Sequence, residues 1–286
     1  MNNTNEIRHR IKSVKDTRQI TKAMELISIS KMKRALTRYE NNAVYFDSVR
    51  YTIKDILMHS HDIEHKYTMH RLDKRAAYIV IAGDKGLAGG YNHNVLNMAW
   101  EHMQIHEQRY IITIGQIARE FFESKNQQVD LEFTHVSQSP TLHDARGICR
   151  DILNLYDQNL MDEVYVVYTK LITTINQKPK IIKLLPVEID DLEDIDVKSS
   201  YTGDILYDPT PKAVLNVLVP QYLVGAIFAT LVQSVASEQC ARMVAMNSAN
   251  KNADKMLTDL NLQYNRARQE KVTNELLEIV SILFSK

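Results

Sequence analysis

Hydrophobic positions at helical spacing dominate the first part of the chain. From Asn5 to about Met58 there is neither glycine nor proline, and residues that favour helices prevail, so the pattern predicts one long helix. Its apolar positions form two sets that differ in phase, Ile7, Ile11 and Val14 followed by Ile20, Met24 and Ile27. A shift of this kind predicts a coiled-coil helix that contains a stutter.

A second helical stretch follows the segment YDPTPKAV and continues to the end of the chain. Alternating steps of three and four residues from Leu215 to Ala267 meet apolar or small residues, with Gln239 and Asn250 as the polar exceptions. This repeat predicts a second coiled-coil helix, about 80 Å long at ~1.5 Å per residue, in which Asn250 would fix the register. Pro220 removes one backbone donor and should kink this helix.

Two further features describe the surface of the second helix. Small residues on the repeat would let a partner helix approach closely, namely Gly225, Ala229, Ala236 and Ala253. After Ala267 the phase breaks and then resumes at Val272, Leu276, Ile279 and Leu283. The tip is therefore predicted to present a different face.

The middle of the chain, residues 75–187, changes to short β-branched runs separated by helix-like stretches. The runs are AAYIVIAG, RYIITIG, DEVYVVYTKL and KIIKLLPV. Such alternation predicts an α/β fold with a mostly parallel sheet covered on both faces, although the last two runs could pair as an antiparallel hairpin. We expect an N-terminal helix (1–58), this α/β domain, an acidic linker (188–208) and a C-terminal helix (209–286). The intervening domain returns the chain to its start, so the two long helices should form an antiparallel coiled coil.

The first predicted strand runs into a glycine-rich turn, IVIAGDKGLAGGYNHN, where a nucleotide phosphate could be held. The spacing of Gly83, Gly86 and Gly89 satisfies neither the P-loop nor the dinucleotide-binding motif. We therefore interpret Gly86, Gly89 and Gly90 as residues that supply positive φ or allow close backbone approach, where a helix begins near Asn92.

Composition limits the class of protein. Only 8 glycines and 6 prolines occur in 286 residues, which favours long helices over many turns. The chain has no run of eighteen apolar residues, and its N-terminus lacks the apolar region of a secretory signal, so we expect a soluble intracellular protein.

Candidate metal ligands are weak, and we expect no cofactor. Cys149 and Cys240 lie far apart without metal-ligand spacing, which favours two reduced thiols. A group of histidines has no cysteine to complete a ligand set and is interpreted as a solvated helix end, namely His59, His61, His65 and His70.

Charge is unevenly distributed although the formal net charge is zero. Residues 1–40 hold ten Lys or Arg against four Asp or Glu, whereas VEIDDLEDIDVKSS (187–200) is strongly acidic. This asymmetry suggests a partner surface on the first helix, with an ordinary solvated face as the alternative.

Two terminal segments carry a resemblance to a known family. RIKSVKDTRQITKAMELISISKMKRA (10–35) and SEQCARMVAMNSANKNADKMLTDLNLQYNRARQEKVTNELLEIV (237–280) closely resemble the two ends of the gamma subunit of F-type ATP synthases. The middle agrees through GDKGLAGGYN and LPV. The chain lacks a transit peptide and the cysteine-bearing insertion of the chloroplast form, so it resembles the bacterial type.

The resemblance implies a rotor shaft rather than a catalyst. In that family the helix pair turns inside a hexamer of alpha and beta subunits, and the α/β domain touches the epsilon subunit and the ring of c subunits. ATP and ADP bind on the neighbouring subunits. The chain would then couple ion flow to ATP synthesis or hydrolysis, as a peripheral protein on the cytoplasmic side of the cell membrane.

Candidate partner-binding residues follow from the resemblance and from the charge pattern. They are Lys12, Lys15, Lys22 and Met24 on the first helix and Arg266, Arg268 and Gln269 near the end of the second. Weak, exposed ion pairs would suit contacts that must release at each step.

Two other functions were considered. A nucleotide-dependent enzyme lacks support because no acid/base pair or phosphate motif is present. A nucleic-acid scaffold lacks the interleaved aromatic residues that such binding needs, since the first forty residues offer little beyond Tyr39. We therefore expect no nucleic-acid partner.

Overall fold

The computed structural model describes residues 2–59, 65–71, 75–134, 136–174, 176–189, 192 and 207–284. His61 and most of the predicted acidic linker lie outside these residues. The elements, in chain order, are α1 (Asn2–His59), β1 (Ala76–Ile81), α2 (Tyr91–Met103), β2 (Arg109–Ile114), α3 (Gln116–Ser124), β3 (Leu131–Phe133), a 3-10 turn (Val136–Gln138), α4 (Leu142–Asp157), β4 (Glu163–Leu171), β5 (Gln177–Leu185) and α5 (Pro211–Phe284).

The chain divides into two compact units, and both long helices contribute to each. The central unit comprises residues 30–241, and the terminal helix unit comprises residues 1–29 and 242–286. Within the central unit, Cys240 Sγ contacts Met32 Sδ, and Tyr45 Oη donates to Gln221 Oε1 at 2.5 Å. Along the pair, residue numbers on α5 decrease as residue numbers on α1 increase, so the predicted antiparallel pairing is confirmed in this unit.

The five strands form one sheet in the order β3-β2-β1-β4-β5. Neighbouring strands are parallel except β4 and β5, which form an antiparallel hairpin. The mostly parallel sheet is therefore confirmed, and so is the alternative of an edge hairpin. The sequence pattern missed β3, because three residues are too few to show a strand period.

Helices cover both faces of the sheet, which explains why every residue of β1 is buried. Ile79 packs in a cluster with residues of α1, α4 and α5, represented by Ile53, Ile148 and Leu231. Tyr78 points to the other face, into a cluster with residues of α2 and α3. Burial on two sides requires the near-continuous apolar run that marked β1 in the sequence.

α5 serves as a core helix of the central unit. Gly225 lies against the ring of Phe46 on α1, at a distance that a Cβ atom would not tolerate, so the predicted role of this small residue is confirmed. Within the described residues, α5 is the one helix long and apolar enough to cross a membrane, and half of its most apolar stretch is buried inside the protein. The helix is not interrupted at Pro220, and a bend there stays a prediction.

The terminal helix unit corrects the predicted stutter. Ile20 and Ile27 are 62% and 55% exposed, so they do not face α5. The steps of four and three that begin at Ile7 instead continue without a phase change, through Val14 to the polar positions Thr21, Glu25 and Ser28, which are buried or half-buried. The prediction was wrong because it assumed that every position facing the partner helix is apolar.

His65 corrects a second prediction. Only 5% of this residue is exposed, and its Nε2 lies 3.1 Å from Asn216 Oδ1 on α5. Burial lowers the pKa of the imidazole, which favours the neutral form. His59 and His70 are exposed and lie near Asp55 and Glu188, as a solvated segment would place them.

Candidate functional site

The glycine turn lies at the carboxyl end of β1, at the place where the strand order reverses. Ligands of open α/β sheets bind at this position. Here the Gly83 amide donates to Asn92 Oδ1 at 2.8 Å, and Asp84 Oδ1 accepts from the Gln116 amide at 3.2 Å. The Gly83 amide and the Asp84 carboxylate are thus already used within the protein.

The space above Gly83 is occupied by α5. A Cβ atom at this position would lie 3.1 Å from Cδ of Glu238, a residue only 6% exposed. Ser237 Oγ, next along the helix, donates to the carbonyl of Thr169 in β4 at 3.0 Å. α5 therefore packs over the turn, and the side chain of Glu238 lies beside Gly83, in the crevice where a nucleotide could be held.

The glycines of the turn have different roles from one another. Gly89 has φ 56° and supplies the predicted positive φ, whereas Gly86 and Gly90 do not. Leu87, with φ 62°, takes the second left-handed position and is 65% exposed. Close backbone approach was predicted for this turn, but it occurs at Gly83, and no sequence signal pointed to Glu238 as its partner.

In the terminal helix unit, α1 and α5 are joined by polar contacts. Arg18 Nε lies 2.6 Å from Asp254 Oδ1, and Thr21 Oγ1 donates to Asn250 Oδ1 at 2.5 Å. Asn250 Nδ2 donates in turn to Glu25 Oε2 at 2.8 Å. These pairs run in opposite directions along the two helices, so the pairing is antiparallel in this unit as well.

Sequence reasoning anticipated Asn250 but missed its partners on α1. The signal was present, because the period set by Ile7 and Val14 leads directly to Thr21 and Glu25 when polar residues are allowed. On α5 the predicted repeat is confirmed, since its members are buried or half-buried from Met246 onward, as follows: Met246, Asn250, Ala253, Leu257, Leu260, Tyr264 and Ala267.

The candidate partner-binding residues lie on the surface of the terminal helix unit. Six are exposed, namely Lys12, Lys15, Lys22, Arg266, Arg268 and Gln269, and Met24 is half-buried. Lys22 Nζ is held 3.1 Å from Glu25 Oε2. Arg266 lines a shallow groove with Glu6 and Arg10, so it lies near the start of α1.

Beyond that groove α5 carries an uncovered apolar surface. Every side chain described from Lys271 to Val280 is exposed. Five of them are large and apolar, with 44% to 60% of each residue exposed, namely Val272, Leu276, Leu277, Ile279 and Val280. Residues described for this chain do not cover them, which indicates a surface that suits an apolar partner.

The described residues contain no group of three or more histidine, cysteine, aspartate or glutamate side chains placed to hold a metal ion. Burial raises the pKa of the Cys149 thiol to about 12, and it also raises the pKa of Cys240. Both thiols therefore stay protonated, which makes them poor nucleophiles and poor ligands.

Comparison with known proteins gives a consistent family. The family model described as ATP synthase matches residues 3–282. The chain is 46% identical over 286 residues to the ATP synthase gamma chain of Ruminiclostridium cellulolyticum, covering 98% of this chain and 97% of that one. It is 43% identical over 288 residues to the ATP synthase gamma chain of Acetivibrio thermocellus, covering 98% of each.

A solved structure shows the same fold. It belongs to the mitochondrial ATP synthase of Euglena gracilis, OSCP/F1/c-ring in rotational state 3, with a TM-score of 0.67, 17% identity, and coverage of 99% of this chain and 94% of that one. Sequence match, fold and the paired terminal helices agree, and the chain belongs to the gamma-chain family of ATP synthases.

Proposed function

We propose that this protein is the rotor shaft of a bacterial F-type ATP synthase, turning inside a hexamer of alpha and beta subunits. Its rotation couples ion flow through the membrane sector to ATP synthesis or hydrolysis at the beta subunits. The observation that carries the proposal is the antiparallel helix pair of the terminal helix unit, whose longer member extends an uncovered apolar surface beyond the last paired residues.

A shaft needs internal contacts that hold its two helices in one register. The pairs Arg18–Asp254 and Thr21–Asn250 supply such contacts, since each depends on one alignment of α1 with α5. A buried polar pair in a coiled coil selects register at some cost in stability. The apolar repeat from Met246 to Ala267 supplies the cohesion between the helices.

The proposal assigns no catalytic residue to this chain. Glu238 lies over Gly83, where an α/β protein could hold a nucleotide, and this contact supports a chain that binds none. In the proposal, ATP and ADP bind on the partner subunits. The membrane is reached through the complex, and the chain is peripheral, on the cytoplasmic side. The partners are the alpha and beta subunits, the epsilon subunit and the ring of c subunits.

Partner contacts are assigned to the exposed basic residues of both helices, which are Lys12, Lys15, Lys22, Arg266 and Arg268, together with Met24 and Gln269. Solvent screens pairs of this kind, so each contributes about 0 to 1 kcal/mol. Contacts of that strength can form and release repeatedly, which a turning shaft requires.

Co-expression with alpha and beta subunits tests the proposal. We expect the chain to purify with both and to raise the ATPase rate of the mixture well above that of alpha and beta alone. A chain that never enters such a complex would contradict the proposal. A lone chain that hydrolysed ATP would contradict its non-catalytic role.

A disulfide within the helix pair provides a sharper test. The variant Thr21→Cys with Asn250→Cys places two thiols where 2.5 Å now separates the side-chain oxygens. We expect oxidation to leave the ATPase rate of the complex nearly unchanged, because the two helices turn as one body. The native thiols should not interfere, since Cys149 and Cys240 are buried. Loss of activity on oxidation, restored by reduction, would show that the helices must move apart.

A further inference from the structure

The hairpin of β4 and β5 carries three lysines on one face. Lys170 stands directly opposite Lys178, and two residues further along the hairpin Lys180 stands opposite Tyr168. Residues two apart on a strand share a face, so all three ammonium groups project to the same side. Within the described part of the chain these three lysines make no ion pair or hydrogen bond through their side chains.

This arrangement is unfavourable in the chain alone. Like charges directly opposite each other destabilise an antiparallel pair, and Lys170 and Lys178 occupy such positions. Lysine on an edge strand also discourages edge-to-edge association, which accounts for Lys178 and Lys180 on β5. Lys170 lies beyond Val167, the last residue of β4 that pairs with β1, so the same reason applies to it. The repulsion between Lys170 and Lys178 remains, and an acidic partner would relieve it.

The same face borders a cleft with aromatic walls. The cleft has a volume of about 570 Å³ and lies between the hairpin, α1 and α5, all in the central unit. Lys170 and Lys180 line it, and its aromatic lining residues are Tyr39, Phe46, Tyr168, Tyr222 and Phe228. The one carboxylate among its described lining residues, Asp47, lies 3.6 Å from Arg50. The surface is therefore basic at its rim and aromatic within.

We propose that this basic hairpin face, defined by Lys170, Lys178 and Lys180 together with the adjoining cleft, docks an acidic segment of a neighbouring subunit. The inference rests on the proposed function, which supplies the neighbouring subunits. Carboxylates lie between the lysines and offset their repulsion, and an apolar side chain of the segment enters the cleft.

A polypeptide fits this surface better than a small anion does. The lysines are spread over two strands, about 5 Å apart across the pair and about 7 Å apart along a strand. Flexible lysine side chains could reach a single phosphate, but a phosphate would leave the adjoining aromatic cleft empty. Acidic residues at alternate positions of an extended segment, or one turn apart on a helix, match that spacing and also present an apolar side chain.

Carbodiimide cross-linking of the assembled complex tests the proposal, because this reagent joins a carboxylate to a lysine amine only where the two are in contact. The complex is prepared with alpha, beta and epsilon subunits, and the linked peptides are identified by mass spectrometry. We expect links from Lys170, Lys178 or Lys180 to aspartate or glutamate of another subunit. Links only to carboxylates of this chain, or none from these lysines, would overturn the docking proposal. Failure of any complex to form would overturn the proposed function, and docking with it.

A variant measures the effect on affinity. Replacing Lys170, Lys178 and Lys180 by glutamine should weaken retention of the docked subunit roughly tenfold at low salt, since each exposed pair contributes a factor of a few. The loss should shrink as salt rises. The melting temperature of the lone chain should stay the same or rise, because repulsion has been removed. The matched control is Lys125→Gln, exposed on the same unit. Equal retention of the triple variant and the control at every salt concentration would overturn the proposal.

Discussion

The hydroxyl of Thr21 on α1 donates a 2.5 Å hydrogen bond to the side-chain oxygen of Asn250 on α5. Asn250 is 8% exposed, and its amide nitrogen is also used, by Glu25. Glu25 in turn accepts from Lys22 at 3.1 Å. A chain of polar contacts therefore crosses the helix pair at a position where an apolar residue would pack in several registers.

This relationship predicts a measurable coupling between the two residues. We expect Thr21→Val and Asn250→Ala each to lower the free energy of unfolding by about 1 to 2 kcal/mol, with a coupling of about 1 kcal/mol in the double variant. Denaturant unfolding of the four proteins gives these values. Strict additivity would show that the hydrogen bond contributes nothing. The Thr21 hydroxyl can also donate to the Thr17 carbonyl at 3.1 Å. It therefore keeps a hydrogen-bond acceptor when Asn250 is replaced, and this limits the coupling energy.

Gly225 and Gly147 predict opposite results for the same substitution. Both lie in helices, where alanine is favoured over glycine by about 1 kcal/mol. A Cβ atom at Gly225 would overlap the ring of Phe46, whereas a Cβ atom at Gly147 meets nothing within 4 Å. We expect Gly225→Ala to lower the melting temperature and Gly147→Ala to leave it unchanged or raise it. Equal effects at the two sites would contradict the close packing of α1 on α5.

Asp162 predicts a pH dependence of stability. Burial opposes ionisation of this carboxyl, but hydrogen bonds from Arg75 outweigh burial and hold its pKa below the ordinary value. Arg75 Nε lies 2.8 Å from Asp162 Oδ2, and the Arg75 amide donates to the same oxygen at 3.1 Å. Because the folded pKa is depressed, the stabilisation is fully present above the unfolded pKa of about 3.9 and is lost as the pH falls through the folded value.

Asp162→Asn should therefore lower the free energy of unfolding by about 2 to 3 kcal/mol at pH 7. The difference from the original chain should shrink below about pH 4, where both chains lack the charge. Urea unfolding across that pH range measures it. A difference that stays constant with pH would mean that the lost hydrogen-bond acceptor, rather than the charge, causes the effect.

Arg268 predicts a separation of assembly from folding. This residue is exposed, so Arg268→Ala should leave the melting temperature of the lone chain nearly unchanged while it disturbs assembly or ATP turnover of the complex. Arg150→Ala serves as the control, since the Arg150 side chain is 74% exposed on α4 of the other unit. If the melting temperature and the turnover fell together, Arg268 would act by stabilising the fold of this chain. If neither the melting temperature nor the turnover changed, Arg268 would make no contact that matters for the complex.

Sequence reasoning succeeded where one periodic signal decides the element. The long period of α5 and the β-branched runs of β1, β2, β4 and β5 predicted the fold class and the antiparallel pairing. The prediction of which face of α1 meets α5 failed, because the period continues through the polar residues Thr21 and Glu25 and the prediction accepted only apolar residues. Ile20 and Ile27 were assigned to the wrong face for that reason.

Two other misses have a tertiary cause. His65 follows a stretch without periodicity, yet it is buried by α5, which is distant in sequence and contributes Asn216. Glu238 is one of several charged residues on a long helix, and only the folded chain brings it to Gly83. Neither contact leaves a local pattern, since contacts distant in sequence depend on the packing of the whole core.

Rotation of this chain within the ring is the central claim, and observing it directly is the most decisive measurement. A probe is attached through Gln128→Cys, an exposed position, while Cys149 and Cys240 stay buried and weakly reactive. With the alpha and beta subunits fixed to a surface, added ATP should drive stepwise rotation of the probe in one direction. ATP hydrolysis at the normal rate with a stationary probe would contradict the account.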